Sequence, residues 1–315
     1  MSVFLISKAY ILMVIKMRAF IYDKYGYYVE EENAISFKID DWNFELVQID
    51  KKEFELENLD NYLKQISGLF NNAGANIILN RDGQYLSTTD FGTVALVAIK
   101  ERMFTIDELS KLHVHFQNIH TDERYDLKKL IELWEDKVDL IEEKIIPSIK
   151  IDDYAYSTAM EITVHALGLA ENAIQYLSEL SMDESNQIPR LTLVHKRLKS
   201  LEAKDFLNPF NLVIDSPMRD YAELYKNGLV NVDTLLKILD VYSTNTFEAS
   251  LLFARILFPT NIFDCLEDHY GERKDVRVSI INFRRTLDEE IMRIKKVHKA
   301  LVSTYNIRPI TWLLE

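Results

Sequence analysis

The 315-residue sequence predicts an α+β chain, with a small β-rich N-terminal lobe carrying one helix and a larger lobe that is mainly α-helical. Three observations carry this. Residues 34–99 alternate between strand-like and helix-like periods, residues beyond Arg102 keep the helical period almost throughout, and only eight glycines and six prolines punctuate the chain. So few breakers argue against disorder and against a turn-dense all-β fold. With 48% hydrophobic and 28% charged residues, the chain can bury a sizeable core.

Taken in order, Val3 to Ile15 is strongly apolar, but Lys8 interrupts it. The run is short of the roughly 20 residues a membrane helix needs, and no small-residue cleavage site follows. Residues 1–16 are therefore read as an extension packing as an extra helix or strand, or as the product of an upstream start codon. A peripheral membrane contact is the minor alternative, and no transmembrane segment is expected. The small lobe is expected over residues 17–102, with Met17 at its start. Ala34–Ile39 and Phe44–Ile49 alternate apolar and polar residues about Asp40-Asp41-Trp42-Asn43, which reads as a hairpin. Leu56, Leu59, Leu63, Ile66 and Phe70 then recur at helical spacing, with Gly74 just beyond. Asn76–Asn80 and Gln84–Ser87 read as a second hairpin about Arg81-Asp82-Gly83, and Val94–Ile99 as a very apolar strand.

A short hinge at residues 99–104 leads into the larger lobe, residues 103–315. Helices are expected at Ile106–Phe116, at Leu127–Ile146 with Leu130, Leu133, Trp134, Val138 and Ile141 on its apolar side, and at Ala159–Leu180, the long central helix. Short strands follow near His195 and at Asn211–Ile214, and Val232–Tyr242, Thr246–Leu257 and Val276–Thr304 complete the lobe as helices. No internal repeat or Gly/Ser linker interrupts this order.

The formal net charge of −13 opposes a general nucleic-acid partner, because a phosphate backbone demands basic surface. The single Cys265 excludes an intramolecular disulfide and a multi-thiolate zinc site, and it fits a reducing compartment. Its neighbours Leu257, Phe258, Ile262 and Phe263 mark it as a small buried hydrophobe. His113, His115 and His120 form a loose cluster, but the first two point to different faces of a helix and cannot share a metal. Glu289 to Lys299 places acids ahead of bases at helical spacing, most simply a solvated face. No P-loop, dinucleotide fingerprint, G-x-S-x-G or H-E-x-x-H is present.

Asp90-Phe91-Gly92 spells a metal-binding motif of protein kinases, yet it precedes any catalytic loop and reads as a turn. The informative stretch is Thr192 to Lys226. A phosphotransferase site needs a carboxylate to accept the hydroxyl proton, an amide and a second carboxylate to hold magnesium, and a lysine on the phosphates. Small-molecule kinases of the aminoglycoside phosphotransferase type arrange these as H-G-D-x-x-x-x-N followed by a strand ending in aspartate. Here His195-Lys196-Arg197-Leu198-Lys199-Ser200-Leu201-Glu202 puts Arg197 at the base position and Glu202 at the asparagine position, while Asn211-Leu212-Val213-Ile214-Asp215 keeps the strand and its terminal carboxylate. A cation cannot accept a proton, so the ordinary mechanism is lost.

Arg219-Asp220-Tyr221-Ala222-Glu223, Glu171-Asn172-Ala173-Ile174-Gln175-Tyr176, Ala254-Arg255-Ile256-Leu257-Phe258-Pro259 and Ile307–Leu313 extend the match. Together these segments resemble the kinase-like spore coat proteins of the CotS and YutH type, closest to the YutH branch. The resemblance implies a two-lobe protein kinase-like (aminoglycoside phosphotransferase-like) fold, with Asp220 accepting hydrogen bonds from the catalytic-loop backbone and Arg219 supporting that loop. It also implies synthesis in the mother-cell cytoplasm, incorporation into the spore coat through other coat proteins, and a pseudokinase needing no cofactor. His195, Arg197, Glu202 and Asp215 are then vestigial cleft positions. Nucleotide binding is impaired in the small lobe too. Asp23-Lys24-Tyr25-Gly26-Tyr27-Tyr28 has one glycine where a phosphate loop belongs, and Gln48 stands where the strand lysine belongs, with Lys38 the nearest substitute. Arg197 is expected either to lie beside Asp215, where magnesium would sit, or to point to solvent. The alternative function is an atypical phosphotransferase acting on a small metabolite or coat protein, using ATP and magnesium held by Asp215 with Asp205 or Glu202. A pseudokinase that senses a small ligand is a third reading.

Overall fold

The computed structural model describes residues 17–29, 35–50, 52–71, 74–90, 92–117, 119, 125–150, 156–183, 187–271 and 277–315. The expectations for residues 1–16, and for Phe91 and His120, lie outside the described residues. The chain divides into two compact units: Met1–Phe116 with His195–Val213, and Gln117–Val194 with Ile214–Glu315. Strands β6 (Thr192–His195) and β7 (Leu212–Asp215) form a two-stranded sheet, and the division runs through both.

In the first unit, helix α1 (residues 17–25) leads to an antiparallel sheet of β1 (Ser36–Ile39), β2 (Trp42–Gln48), β5 (Gly92–Lys100) and β3 (Ala75–Ile78), in that spatial order, with β4 (Ser87–Thr89) also on β5. β1 and β2 form the expected hairpin. Ile39 pairs with Trp42, so the turn is only Asp40-Asp41, and Asp40 takes φ 54°, a conformation aspartate tolerates. Met17, Ile21, Tyr25 and Val29 pack on Phe37, Phe44, Leu46, Val94, Leu96 and Ala98, one face of the sheet. The alternate residues of β5, Ala95, Val97 and Ile99, are buried as well. Burial on both faces explains why this strand reads as an unbroken apolar run.

Asn76–Ser87 does not form the expected hairpin. β2 takes one edge of β5 along Val94–Lys100, and β3 and β4 share the other, pairing at Leu96–Ile99 and Gly92–Val94 respectively. The reason is Asn80. Its Oδ1 accepts from the Asp82 and Gln84 amides and its Nδ2 donates to the Leu86 carbonyl, so the side chain satisfies backbone groups that a hairpin ladder would have used. Gly92 opens β5 at φ 122° directly after the turn at Asp90, in the role expected of it. Helix α2 (Glu53–Leu69) buries Leu56, Leu63 and Ile66 and lies against β3. Helix α3 (Ile106–His115) starts on a Thr105/Glu108 capping box. His113 is buried in α3 and His115 is exposed, so the two do face apart.

The second unit is helical. α4 (Leu127–Leu140) continues through a π turn, Ile141–Ile145, and a 3-10 turn, Ile146–Ser148. Its buried stripe is Leu127, Trp134, Val138 and Ile141; Leu133, expected on it, is exposed because it sits about 100° around the helix from Trp134. α5 (Tyr156–Asp183) touches α4, α9 (Thr246–Leu257), α10 (Thr260–Leu266) and α11 (Arg277–Tyr305), the central place expected of it. Every residue of α9 from Phe247 to Leu257 is buried. That is why Thr246–Gly271 is long and apolar enough to cross a membrane while 83% of its most apolar window lies inside the protein. α7 (Met218–Lys226) and α8 (Val232–Val241) precede it, and α12 (Thr311–Leu314) closes the chain. Cys265 is buried in α10, and burial pushes its thiol up to about 11. Glu289–Lys299 is not wholly a solvated face. His298 is fully buried, and Arg293 donates to the Tyr225 and Lys226 carbonyls in the last turn of α7.

Candidate functional site

The loop after β6 is held from within the first unit. His195 is completely buried, and its Nε2 lies 2.8 Å from the Phe206 carbonyl. Asn211 clamps the Arg197 peptide on both sides: its Oδ1 accepts from the Arg197 amide at 3.0 Å and its Nδ2 donates to the Arg197 carbonyl at 2.6 Å. The same Nδ2 reaches the Asp205 carbonyl, and the Lys196 amide donates to the Asn211 carbonyl. The Arg197 guanidinium donates back to the Lys196 carbonyl at 2.9 Å. Glu202 bridges to Met103 and pairs at 2.7 Å with Lys204, and Asp205 accepts from Ser200 Oγ at 2.6 Å. The Arg197 peptide is therefore fixed by side-chain hydrogen bonds on both sides. Asn211 is a positioning residue that the sequence placed only at the head of a strand; its signal was a polar residue directly before an apolar strand.

The small-lobe positions are engaged in structure. Gly26, at φ 84°, donates to the Ile21 and Tyr22 carbonyls and ends α1, so it is a helix cap. Lys38 pairs with Glu101 at 2.6 Å, and this bond, with one from Asn43, holds the Glu101 carboxyl below its usual range. Gln48, at the end of β2, lies so close to Gly92 that a Cβ there would stand 2.9 Å from its Nε2.

In the second unit, Asp215 is 8% exposed at the end of β7. Its Oδ1 accepts from the Ser216 amide at 2.6 Å and from Arg255 Nη2 at 3.0 Å; its Oδ2 accepts from Arg255 Nη2 at 2.9 Å and from Arg219 Nη1 at 2.9 Å. Three donor atoms thus make four contacts with the carboxylate, the Arg255 Nη2 reaching both of its oxygens. Burial works against the Arg255 charge, but the Asp215 carboxylate and the Tyr125 phenol outweigh it and push its pKa up. Tyr125 OH lies 3.3 Å from Arg255 Nη2, and burial keeps that phenol protonated. The guanidiniums on Asp215 are those of Arg255 and Arg219, while Arg197, for which a place beside Asp215 and a solvent-facing one were the two expectations, donates to the Lys196 carbonyl. Asp220, one residue on, is fully buried in α7.

The segment around Arg255 is visible in the sequence, but its pairing with Asp215 is not. Asp215, Arg219 of the R-D-x-A-E segment and Arg255 of the A-R-x-L-F-P segment form one ion cluster. Another pair of those segments meets at the chain's end, where Trp312 Nε1 donates to Asn172 Oδ1 at 3.2 Å and Arg308 pairs with Glu179. The Ile310 amide donates to His298 Nε2 at 3.0 Å in the same region.

A small antiparallel N-terminal sheet and a mostly helical remainder define a kinase-like α+β protein. The chain belongs to the family described as spore coat putative kinase YutH, which it matches over residues 18–302. It is 30% identical over 117 residues to the endospore coat-associated protein YutH of Bacillus subtilis (strain 168), an alignment covering 33% of this chain and only 34% of that protein. Two solved structures are similar at a distance. One is an aminoglycoside phosphotransferase from Alicyclobacillus acidocaldarius, at 10% identity and TM-score 0.46, covering 86% of this chain and 92% of that one. The other is the amicoumacin kinase hAmiN in complex with AMP-PNP, Ca2+ and Ami, at 12% identity and TM-score 0.46, covering 90% and 95%.

The donor set decides whether magnesium-bound nucleotide fits. A metal at Asp215 would have to displace Arg255, leaving a buried cation without its carboxylate, a costly state. The residues present do not fit that group.

Proposed function

We propose that this chain is a pseudokinase, a kinase-like protein that does not transfer phosphoryl groups and serves a structural or assembly role in the endospore coat. The observation that carries the first part is the buried carboxylate of Asp215, whose two oxygens are held by Arg219, Arg255 and the Ser216 amide. Arg197 at the base position and the helix-capping role of Gly26 support it. Membership of a spore coat family supports the second part. On this reading the chain is made in the mother-cell cytoplasm and joins the coat through contacts with other coat proteins, and it needs neither ATP nor a metal.

Calorimetric titration with ATP, with and without magnesium, tests the first part. No magnesium-dependent heat is expected. Magnesium-dependent binding that Asp215→Asn abolishes would establish the rival, an atypical phosphotransferase. For the second part, a fluorescent fusion should move to the coat of sporulating cells, and the Asp215→Leu/Arg255→Met double variant should move with it. A signal that stays diffuse in the mother cell would sink the coat role.

A further inference from the structure

The end of the chain is held by a bond that only an unprotonated histidine nitrogen can make. We propose that residues 307–315 form a pH-sensitive strap, which lifts from α5 and α11 when His298 takes up a proton. The inference is independent of the pseudokinase reading and of the coat role.

His298 is fully buried on α11, and its Nε2 lies 3.0 Å from the Ile310 nitrogen. A backbone N–H can only donate, so Nε2 is the acceptor and the proton of the neutral ring sits on Nδ1. Nδ1 is buried too, with only the Arg308 backbone acting on it. A second proton would put an N–H on Nε2 directly facing the Ile310 N–H, and a charge in a buried site. Among the described residues, no carboxylate acts on the ring to offset that charge. On α9, whose Phe253 packs on the ring at 4.8 Å, the charged residues Glu248 and Arg255 hold Arg190 and Asp215. On α5, Glu179 pairs with Arg308 of the strap, and the Tyr176 phenol, pushed up to about 12 by burial, is neutral. The neighbouring charges on α11 itself, Lys295, Lys296 and Lys299, are all positive. An open form in which the ring meets water therefore binds the proton more readily than the closed one.

The strap is also loosely backed. A cavity of about 160 Å³ lies along it, lined by Gln175, Tyr176 and Glu179 of α5 and by Arg308, Pro309 and Ile310 of the strap. Its hold depends on separate contacts: the buried Ile307 and Leu313, the Trp312 bond to Asn172, the Arg308–Glu179 pair and the His298 bond. The Arg308–Glu179 pair is half exposed on the arginine side and contributes little. Losing the His298 bond thus removes a large share of what holds residues 307–315, and lifting them bares the face of α5 that carries Asn172 and Tyr176.

The test uses the full chain with Trp42 and Trp134 changed to Phe, so that Trp312, 36% exposed and bonded to Asn172, reports on the strap. A companion chain keeping only Trp134 reports on the unit around it. As pH falls from about 7.5 to about 5, Trp312 emission is expected to move to longer wavelength below about pH 6.5 while Trp134 emission holds. His298→Gln keeps an acceptor that does not titrate, and its Trp312 emission should stay constant. In the wild-type chain, exchange of the Ile310 amide, corrected for its intrinsic pH dependence, should quicken relative to that of Leu301 by up to about tenfold per pH unit, as an opening that takes up one proton requires. That readout needs no variant to fold. Trp312 emission that never shifts, that shifts together with Trp134, or that shifts equally in His298→Gln overturns the inference, as does Ile310 exchange that keeps step with Leu301.

Discussion

Removing one member of the Asp215–Arg255 pair should cost far more than removing both, and the two single losses should be unequal. Asp215 and Arg255 are each 8% exposed, so a lone survivor cannot regain its hydration. Asp215→Asn leaves Arg255 with the Tyr125 phenol and an amide oxygen, which should cost about 3–5 kcal/mol as an uncompensated buried charge. Arg255→Met leaves Asp215 with Arg219 and the Ser216 amide, so its cost should be lower, about 2 kcal/mol. The double variant Asp215→Leu/Arg255→Met replaces the pair by apolar volume and should return to within about 1–2 kcal/mol of the wild type. Urea unfolding followed by tryptophan emission measures this, because Trp134 stacks on Phe258 at 4.4 Å, in the same segment as Arg255. Trp42 and Trp312 are changed to Phe in every sample so that only Trp134 reports. A carboxylate kept for a metal would behave in the opposite way, since an unpaired active-site acid is a destabilising feature that its amide relieves. An Asp215→Asn variant as stable as its parent, or less costly than Arg255→Met, would refute the reasoning.

His298 is buried and its pKa is lowered from 6.5 by that burial, partly opposed by the Arg308 backbone. The unfolded chain then binds the proton more readily, so its contribution to stability is complete above about pH 6.5 and is lost as pH falls through the lower folded value. Urea midpoints should drop between pH 7.5 and 5.5, and His298→Gln should flatten part of the slope, His165 supplying a residue of the same sign. Gly74→Ala would place a Cβ 2.5 Å from the Trp42 ring and should cost about 1–3 kcal/mol, read as a lower thermal midpoint with shifted Trp42 emission. Asn211→Ala removes the clamp on the Arg197 peptide, and exchange of the Arg197 amide should quicken by about tenfold or more; unchanged exchange would show that other bonds hold the loop.

The helices were largely legible because their apolar stripes are long and their ends carry caps: α9 runs over Thr246–Leu257 as expected, from the Asn245/Glu248 capping box. The first hairpin was legible for a similar reason, with alternation and a two-aspartate turn agreeing. The alternation of Asn76–Ser87 points to a hairpin, but it competes there with one asparagine side chain, and nothing in the spacing says which wins. Asp215, Arg197 and His195 could be found from their spacing within one stretch. Arg255 could not, since 40 residues separate it from the carboxylate it pairs with, and a lone arginine in an apolar helix gives no hint of its partner.

Helix α9 is pinned at both ends. Glu248, in its first turn, is 1% exposed and holds the Arg190 guanidinium, which lies over the Tyr242 ring at 3.8 Å; Arg255, in its last turn, holds Asp215. The two charges stand seven residues apart, about 10.5 Å along the axis. A slide of the helix in either direction would therefore strip two buried charges, Glu248 and Arg255, of their partners at once. The helix behaves as a tie rod with a single permitted length, and the unit around it can hold its register or unfold, with no gentle slippage in between.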